Sequence, residues 1–238
     1  MSTDDQVRIG LAILNRNEAE ALPRILPRIV TSSVDVVFAV DGNSTDRSPT
    51  MIQEAGFEVL TQKAPGRGEA FRLAFEHAGR LGLGALIFFS PDGNEDPGDI
   101  PRFREGLAAG ADMVIASRMM EAAFNEEDVS WFRPRKWANL GFNWLAYLTW
   151  GRGQRRITDG INGYRAITSN AWELMRPDGF GYTIEYQTTI RAYKSRLKVV
   201  EFPTREGQRL GGQSNATAVD TGLRFMRLFV SELRIRKG

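Results

Sequence analysis

Asp92 stands just past an apolar run, in the segment Ile87-Phe88-Phe89-Ser90-Pro91-Asp92-Gly93-Asn94. A carboxylate followed two residues later by an amide offers hard oxygen ligands of the kind Mg²⁺ and Mn²⁺ prefer, with phosphate oxygens completing the shell. Asp92 and Asn94 are therefore the candidate metal ligands. Ser-Pro-Asp-Gly is equally a good tight turn that needs no chemistry. The acidic loop runs on through Glu95, Asp96 and Asp99. A second stretch, Val40-Asp41-Gly42-Asn43-Ser44-Thr45-Asp46, carries Asp41 at a strand's C-terminal edge, where its carboxylate can accept hydrogen bonds from a base or a ribose. Ser44 or Thr45 is expected to cap the helix that follows, with Asp46 near its positive end. A third, Ala64-Pro65-Gly66-Arg67-Gly68-Glu69, sets two glycines around an arginine at a helix start. Close backbone approach, a helix N-terminus and Arg67 together favour a diphosphate. This is not a P-loop, because the Gly-Lys-Ser/Thr ending is missing.

Each of these stretches lies where a predicted strand hands over to a helix. Leu86–Phe89 is a short apolar run bounded by turn residues, which suits a strand covered on both faces. Val7–Leu14, Val34–Val40, Phe57–Thr61 and Met113–Ala116 read as further strands; Glu18–Ile29, Asp46–Ala55, Glu69–Leu81 and Ile100–Ala109 read as helices. The alternation predicts a mainly parallel α/β sheet with helices on both faces. Open sheets of this kind bind ligands at the carboxyl edge of their strands, where Asp41 and Asp92 fall.

At 238 residues the chain has ample length for a real core, and 42% hydrophobic with 25% charged content is ordinary for a globular protein. The absence of cysteine excludes a disulfide framework and a thiolate metal site. The single histidine, His77, cannot build a zinc cluster and is expected at the surface. The polar opening Met-Ser-Thr-Asp-Asp-Gln predicts no signal peptide, and no apolar run approaches the ~20 residues of a membrane span. A cytoplasmic location is expected.

Net charge is only +2, but arginine and lysine dominate from Arg133 onward, and Arg224 to Lys237 is basic. A polyanionic partner (phosphate, anionic lipid or nucleic acid) comes into consideration for this half. Past the acidic stretch Glu121–Asp128, Trp131–Trp150 carries four tryptophans, with Trp137, Leu140, Trp144, Leu145 and Leu148 at helical spacing. Such a helix belongs either in a core or at a membrane interface, where Trp and Tyr concentrate. The final helix puts Val219, Leu223, Met226, Val230 and Leu233 on one face, flanked by arginines. It fits either a solvated helix or docking on anionic lipid.

Taken in order, the motifs resemble those of the family 2 glycosyltransferases, especially the branch around dolichol-phosphate mannosyltransferase. Leu14-Asn15-Arg16-Asn17-Glu18 resembles the family's Pro-x-x-Asn-Glu opening, with Leu14 in place of proline. Asp41 to Asp46 resembles its Asp-Asp/Gly-Gly/Asn-Ser-Thr-Asp signature, and Gly66-Arg67-Gly68 its Gly-Lys/Arg-Gly loop. Ser90-Pro91-Asp92-Gly93-Asn94 lies where the family carries Asp-x-Asp followed by x-Gln, and Ser117-Arg118 matches its Ser-Arg. Asp159-Gly160-Ile161-Asn162-Gly163-Tyr164-Arg165, Glu201-Phe202-Pro203 and Arg209-Leu210-Gly211-Gly212-Gln213-Ser214 resemble its later segments. The resemblance covers roughly Val7 to Ser214.

The resemblance implies a GT-A fold: a Rossmann-like sheet in one continuous domain, with a nucleotide-sugar-binding half at 1–118. The acceptor-binding half, 119–238, would carry amphipathic helices. It implies inverting transfer of a sugar from a nucleotide-diphosphate donor, with Mg²⁺ or Mn²⁺ as cofactor. Asn17, Glu18, Asp41, Arg67 and Asp92 would bind the nucleotide sugar. Asp92, Asp159, Arg118 and Arg209 would act in catalysis, Asp159 orienting or deprotonating the acceptor. Ser90 replaces the first aspartate, so metal binding is expected to be weaker. A polyprenyl phosphate is the expected acceptor, with Arg118, Arg133 and Arg209 converging on its phosphate, a peripheral membrane contact, and no nucleic-acid partner. The competing readings are transfer to a saccharide hydroxyl and a catalytically weak nucleotide-sugar-binding module. A sugar-nucleotide nucleotidyltransferase would open with Gly-x-Gly-Thr-Arg, which is absent here.

Overall fold

Strand alternation divides the core into two layers. The computed structural model describes residues 7–124, 134–207, 209–210 and 218–235, with the backbone alone at 134–135 and 218–220. Seven strands form one sheet: β1 (Ile9–Asn15), β2 (Val36–Asp41), β3 (Glu58–Thr61), β4 (Ala85–Phe89), β5 (Met113–Ser117), β6 (Arg165–Thr168) and β7 (Val199–Pro203), in the order β3-β2-β1-β4-β6-β5-β7. All pairings are parallel except those of β6, which runs antiparallel between β4 and β5. Leu11, Ile13, Ile87 and Phe89 face one layer, while Ala12, Phe38, Leu86 and Phe88 face the other, as the period of two requires. Burying each large apolar side chain contributes about 1.5–3 kcal/mol.

The first layer is covered by α1 (Leu22–Ile25), α2 (Ser48–Glu54) and α4 (Ile100–Ala108). The second is covered by α3 (Arg67–Arg80), α5 (Pro134–Trp150), α6 (Ser169–Met175), α7 (Thr183–Lys194) and α8 (Ala218–Arg234). Phe71 of α3 stacks on Phe88 at 3.8 Å between ring centroids.

Several local expectations need correction. The helix expected over Glu18–Ile29 is only α1 and a 3₁₀ turn at Leu26–Arg28, because Pro23 and Pro27 each remove a backbone donor. Ser44 and Thr45 do not cap α2. Asp46 instead accepts from the Ser48 N–H at 2.9 Å, while the Ser44 hydroxyl turns back to Asp41. His77 is buried rather than exposed. It packs edge-on against Phe38, 4.8 Å between centroids, with Nε2 3.2 Å from Glu58.

The two tryptophan- and arginine-bearing helices do not bury their apolar stripes. On α5 the inward positions are Asn139, Asn143 and Ala146, while Trp137, Trp144 and Leu148 are about half exposed (55%, 46% and 53%). On α8, Phe225, Phe229 and Glu232 face inward, and Leu223, Met226, Val230 and Leu233 lie exposed beside Arg224, Arg227 and Arg234. Glu232 pins α8 to α7 through Arg191 (2.8 Å), Lys194 (2.6 Å) and Gln187 (2.9 Å). Among the described residues, no helix is long and apolar enough to cross a membrane.

Candidate active site

The parallel register brings Asn15 and Asp41 side by side at the carboxyl ends of β1 and β2. Asn15 donates to the Asp41 carboxylate at 2.7 Å and to the Ser48 hydroxyl at 2.9 Å. The Ser44 N–H and hydroxyl add bonds of 3.0 and 2.6 Å to Asp41, which is buried. Asp41 thus organises the loop at this edge. Asn17 bridges it, its side-chain oxygen accepting from the Thr45 N–H at 2.7 Å. Beside them Glu18 is buried, with Oε2 lacking any partner among the described residues. Burial and the neighbouring Asp92 push its pKa up to about 7, against the pull of Arg209.

At the end of β4, Ser90 accepts from Arg67 at 3.2 Å, and its N–H donates to Glu95 at 2.6 Å. Asp92 Oδ1 accepts from the Asn94 N–H at 3.0 Å. Burial, opposed by Arg67 and reinforced by Asp92, pushes Glu95 up to about 8, and Arg118 also acts on it. Glu95 is thus tied to the turn that carries Ser90 and Asp92. The sequence reading passed over it as one of several acids in the loop.

A later segment closes onto this loop. The Gly207 N–H donates to the Asn94 carbonyl at 2.8 Å, and the Leu210 N–H to the Asp92 carbonyl at 2.9 Å. Only glycine fits at 207, since a Cβ there would meet the Gly93 carbonyl at 2.5 Å. The segment carries Arg209 to Glu18 at 3.3 Å and to Asp92 at 3.8 Å. Residues 18, 92 and 209, far apart in sequence, thereby meet.

Arg67 opens α3, where its guanidinium reaches Glu185 of α7 as well as Ser90. Gly163 leaves it room, because a Cβ there would lie 2.1 Å from the guanidinium. Glu185 is buried, and burial raises its pKa against the pull of Arg67.

Arg118 follows β5 and is gripped by carboxylates. Asp159 accepts from its Nε at 2.8 Å, its terminal nitrogen at 3.1 Å and its backbone N–H at 3.0 Å; Glu206 accepts from the other terminal nitrogen at 3.0 Å. Burial works against the charge on Arg118, but Asp159 and Glu206 outweigh it and hold the pKa above the usual range. Asp159 is 0% exposed, and burial is likewise outweighed by Arg118, which holds the carboxyl below its usual value. In this arrangement Asp159 orients an arginine and has no open side for an acceptor proton. Glu201 accepts from the Thr158 and Asp159 N–H groups at 2.8 and 3.0 Å, and buried Arg165 donates to the Gly160 carbonyl at 3.1 Å. The later motif residues thus build the turn that presents Asp159.

Asn94 Oδ1 is buried without a partner among the described residues, in the same loop as the Asp92 carboxylate. These two oxygens suit a divalent cation that takes its remaining ligands from phosphate and water. Among the described residues no three His, Cys, Asp or Glu side chains are grouped to hold a metal by themselves. Arg133 and the stretch Gly211–Ser214 lie outside the described residues.

The sheet order, the antiparallel β6 and the charged loops at the carboxyl edge define a GT-A glycosyltransferase architecture. Glucosyl-3-phosphoglycerate synthase from Mycobacterium tuberculosis, solved with Mn²⁺, uridine diphosphate and glucosyl-3-phosphoglycerate, superposes with a TM-score of 0.68 at 17% identity, covering 96% of this chain and 79% of that one. The model of glycosyl transferase family 2 matches residues 11–170, and the chain belongs to that family. It is 28% identical to polyprenol monophosphomannose synthase of Mycolicibacterium smegmatis, over 92% of this chain and 84% of the relative. It is 27% identical to undecaprenyl-phosphate mannosyltransferase of Micrococcus luteus, over 87% of both. An uncharacterised glycosyltransferase of Mycobacterium bovis is 30% identical over 90% of both chains. The protein is thus a glycosyltransferase.

Proposed function

We propose that the protein transfers a sugar, with inversion, from a nucleotide-diphosphate sugar to a polyprenyl phosphate. The observation that carries this reading is the guanidinium of Arg118. It is fixed by Asp159 at the edge that holds Asp92, and it keeps two of its five N–H donors uncommitted among the described residues. A planar guanidinium held in one orientation suits two phosphate oxygens. The names of two relatives, acting on polyprenol and undecaprenyl phosphate, agree with this acceptor class.

In the reaction, an acceptor phosphate oxygen forms a bond to the anomeric carbon from the face opposite the diphosphate. The bond from that carbon to the diphosphate oxygen breaks, and its electron pair leaves with the nucleoside diphosphate. The attacking oxygen is already ionised near neutral pH, so positioning matters more than proton removal. Asp41, Asn17 and Glu18 shape the nucleoside end. Arg67, beside Ser90, faces the developing charge on the diphosphate. Mg²⁺ or Mn²⁺ held by Asp92 and Asn94 supplies further stabilisation of that charge when bound. Arg209, on a segment already zipped to the Asp92 loop, meets the acceptor phosphate beside Asp92 and excludes water.

The same reading explains the outward stripes on α5 and α8. The apolar row of α8, bordered by Arg224, Arg227 and Arg234, and the exposed Trp137, Trp144 and Leu148 of α5 suit a peripheral seat on an anionic membrane, where each arginine near the surface contributes about 1 kcal/mol. The test is transfer to a short-chain polyprenyl phosphate, compared between wild type and Arg209→Ala. Nucleotide binding should survive in the variant while transfer is lost. Efficient transfer to a neutral sugar hydroxyl, with no use of the lipid phosphate, would overturn the proposal.

A further inference from the structure

The inner face of α5 is polar where a helix packed on a sheet is ordinarily apolar. Asn139 and Asn143, one turn apart, are 7% and 1% exposed. Asn139 donates to Asp159 Oδ1 at 2.7 Å, and its own side-chain oxygen accepts from Asn143 at 2.6 Å. Asn143 in turn donates to the Thr158 carbonyl at 2.8 Å and accepts from the Gly160 N–H at 3.0 Å. A Cβ at Gly160 would lie 2.6 Å from Asn143 Oδ1, so the turn and the asparagine are fitted to each other.

This chain has a direction. Asn143 fixes which way the Asn139 amide points, and the Asn139 NH₂ then claims an Asp159 oxygen that would otherwise be free to rotate. The carboxylate plane is held on the Arg118 side by Arg118 and on the α5 side by Asn139. Burying two amides costs free energy unless every polar atom is used, and here they are used on a single turn. Apolar side chains would fill the same space without that cost.

We propose that Asn139 is a positioning residue for transfer, acting through Asp159 to fix the direction in which Arg118 presents its N–H donors to the acceptor phosphate. The proposal rests on the reading of Arg118 as a phosphate ligand, and the experiment separates the two. Asn139→Ala and Asn139→Asp are prepared in the full chain. Three quantities are measured: nucleoside diphosphate affinity by calorimetry, KM and kcat for a short-chain polyprenyl phosphate, and solvent exchange of the Arg118 Nε–H by NMR.

In Asn139→Ala, exchange at Arg118 should quicken at least about tenfold, since a hydrogen bond to a charged group is lost. Acceptor KM should rise about ten- to a hundredfold while nucleoside diphosphate affinity stays within about twofold. Asn139→Asp sets a second carboxylate against Asp159, with Arg118, Glu206 and Glu201 the other charged groups around it. Its Arg118 signal should be labile at pH 8 and recover towards wild type near pH 5, as the two carboxyls come to share a proton. An unchanged Arg118 exchange rate in Asn139→Ala overturns the proposal, as does parallel loss of donor and acceptor binding. If Asn139→Ala does not fold, an Arg118 exchange rate in Asn139→Asp equal to that of wild type at both pH 8 and pH 5 overturns it instead. Quickened exchange with an unchanged acceptor KM upholds the control of Arg118 and defeats the phosphate reading.

Discussion

Replacing Asp159 with asparagine separates two roles for this carboxylate, a base for the acceptor and an anchor for Arg118. The side chain is 0% exposed and accepts four hydrogen bonds, three from Arg118 and one from Asn139. Removing one partner of a buried ion pair costs about 3–5 kcal/mol. Glu206, 3.0 Å from the same guanidinium, still compensates part of the charge, which sets the expectation near 3 kcal/mol. For a chain of this size that corresponds to a fall in Tm of about 6–12 °C. Because the folded-state pKa of Asp159 lies below its ordinary value, the pair's contribution persists above the ordinary aspartate pKa of about 3.9 and is lost as pH falls below it. The deficit of the variant should therefore be constant from about pH 5 to 8. A double-mutant cycle with Arg118→Met should show a coupling of about 1–3 kcal/mol in denaturant unfolding. In the pH dependence of kcat/KM, an anchor leaves the wild-type limbs in place and lowers the whole curve. Wild-type stability in Asp159→Asn, additive losses in the cycle, or disappearance of the acidic limb would each refute the anchoring argument.

Two further outcomes follow from the donor side. Glu18 has its pKa raised to about 7, so its stability contribution is full below about pH 4.5 and declines as pH rises through 7. Relative to wild type, Glu18→Gln should gain up to about 3 kcal/mol between pH 5 and 8, read from thermal unfolding at the two pH values; an unchanged difference would contradict the burial argument. Ser90→Asp places a second carboxylate beside Asp92 and within reach of Arg67, and should tighten Mn²⁺ binding in calorimetry; weaker binding would mean that Arg67 captures the new charge.

Strand ends were legible because they are local. An apolar run followed by Ser-Pro-Asp-Gly or Asp-Gly-Asn-Ser announces a strand and its turn, and a parallel sheet then gathers such turns at one edge. That logic put Asp41 and Asp92 at the carboxyl ends of β2 and β4, where the fold has them, whereas β6, four residues beginning with a buried arginine, gave no periodic signal. The sequence also showed that α8 has an apolar row and a basic flank. Tertiary packing decided that the row faces outward, because Phe225 and Phe229 fill the core more fully. It also decided the partners of every charged group in the site: Arg67 with Glu185, Arg118 with Asp159 and Glu206, Arg209 with Glu18. A charged residue on a helix reads the same whether it meets water or a counter-ion 118 positions away. Only the burial that the fold imposes makes the pairing obligatory, since an ion taken out of water must find its partner within the protein.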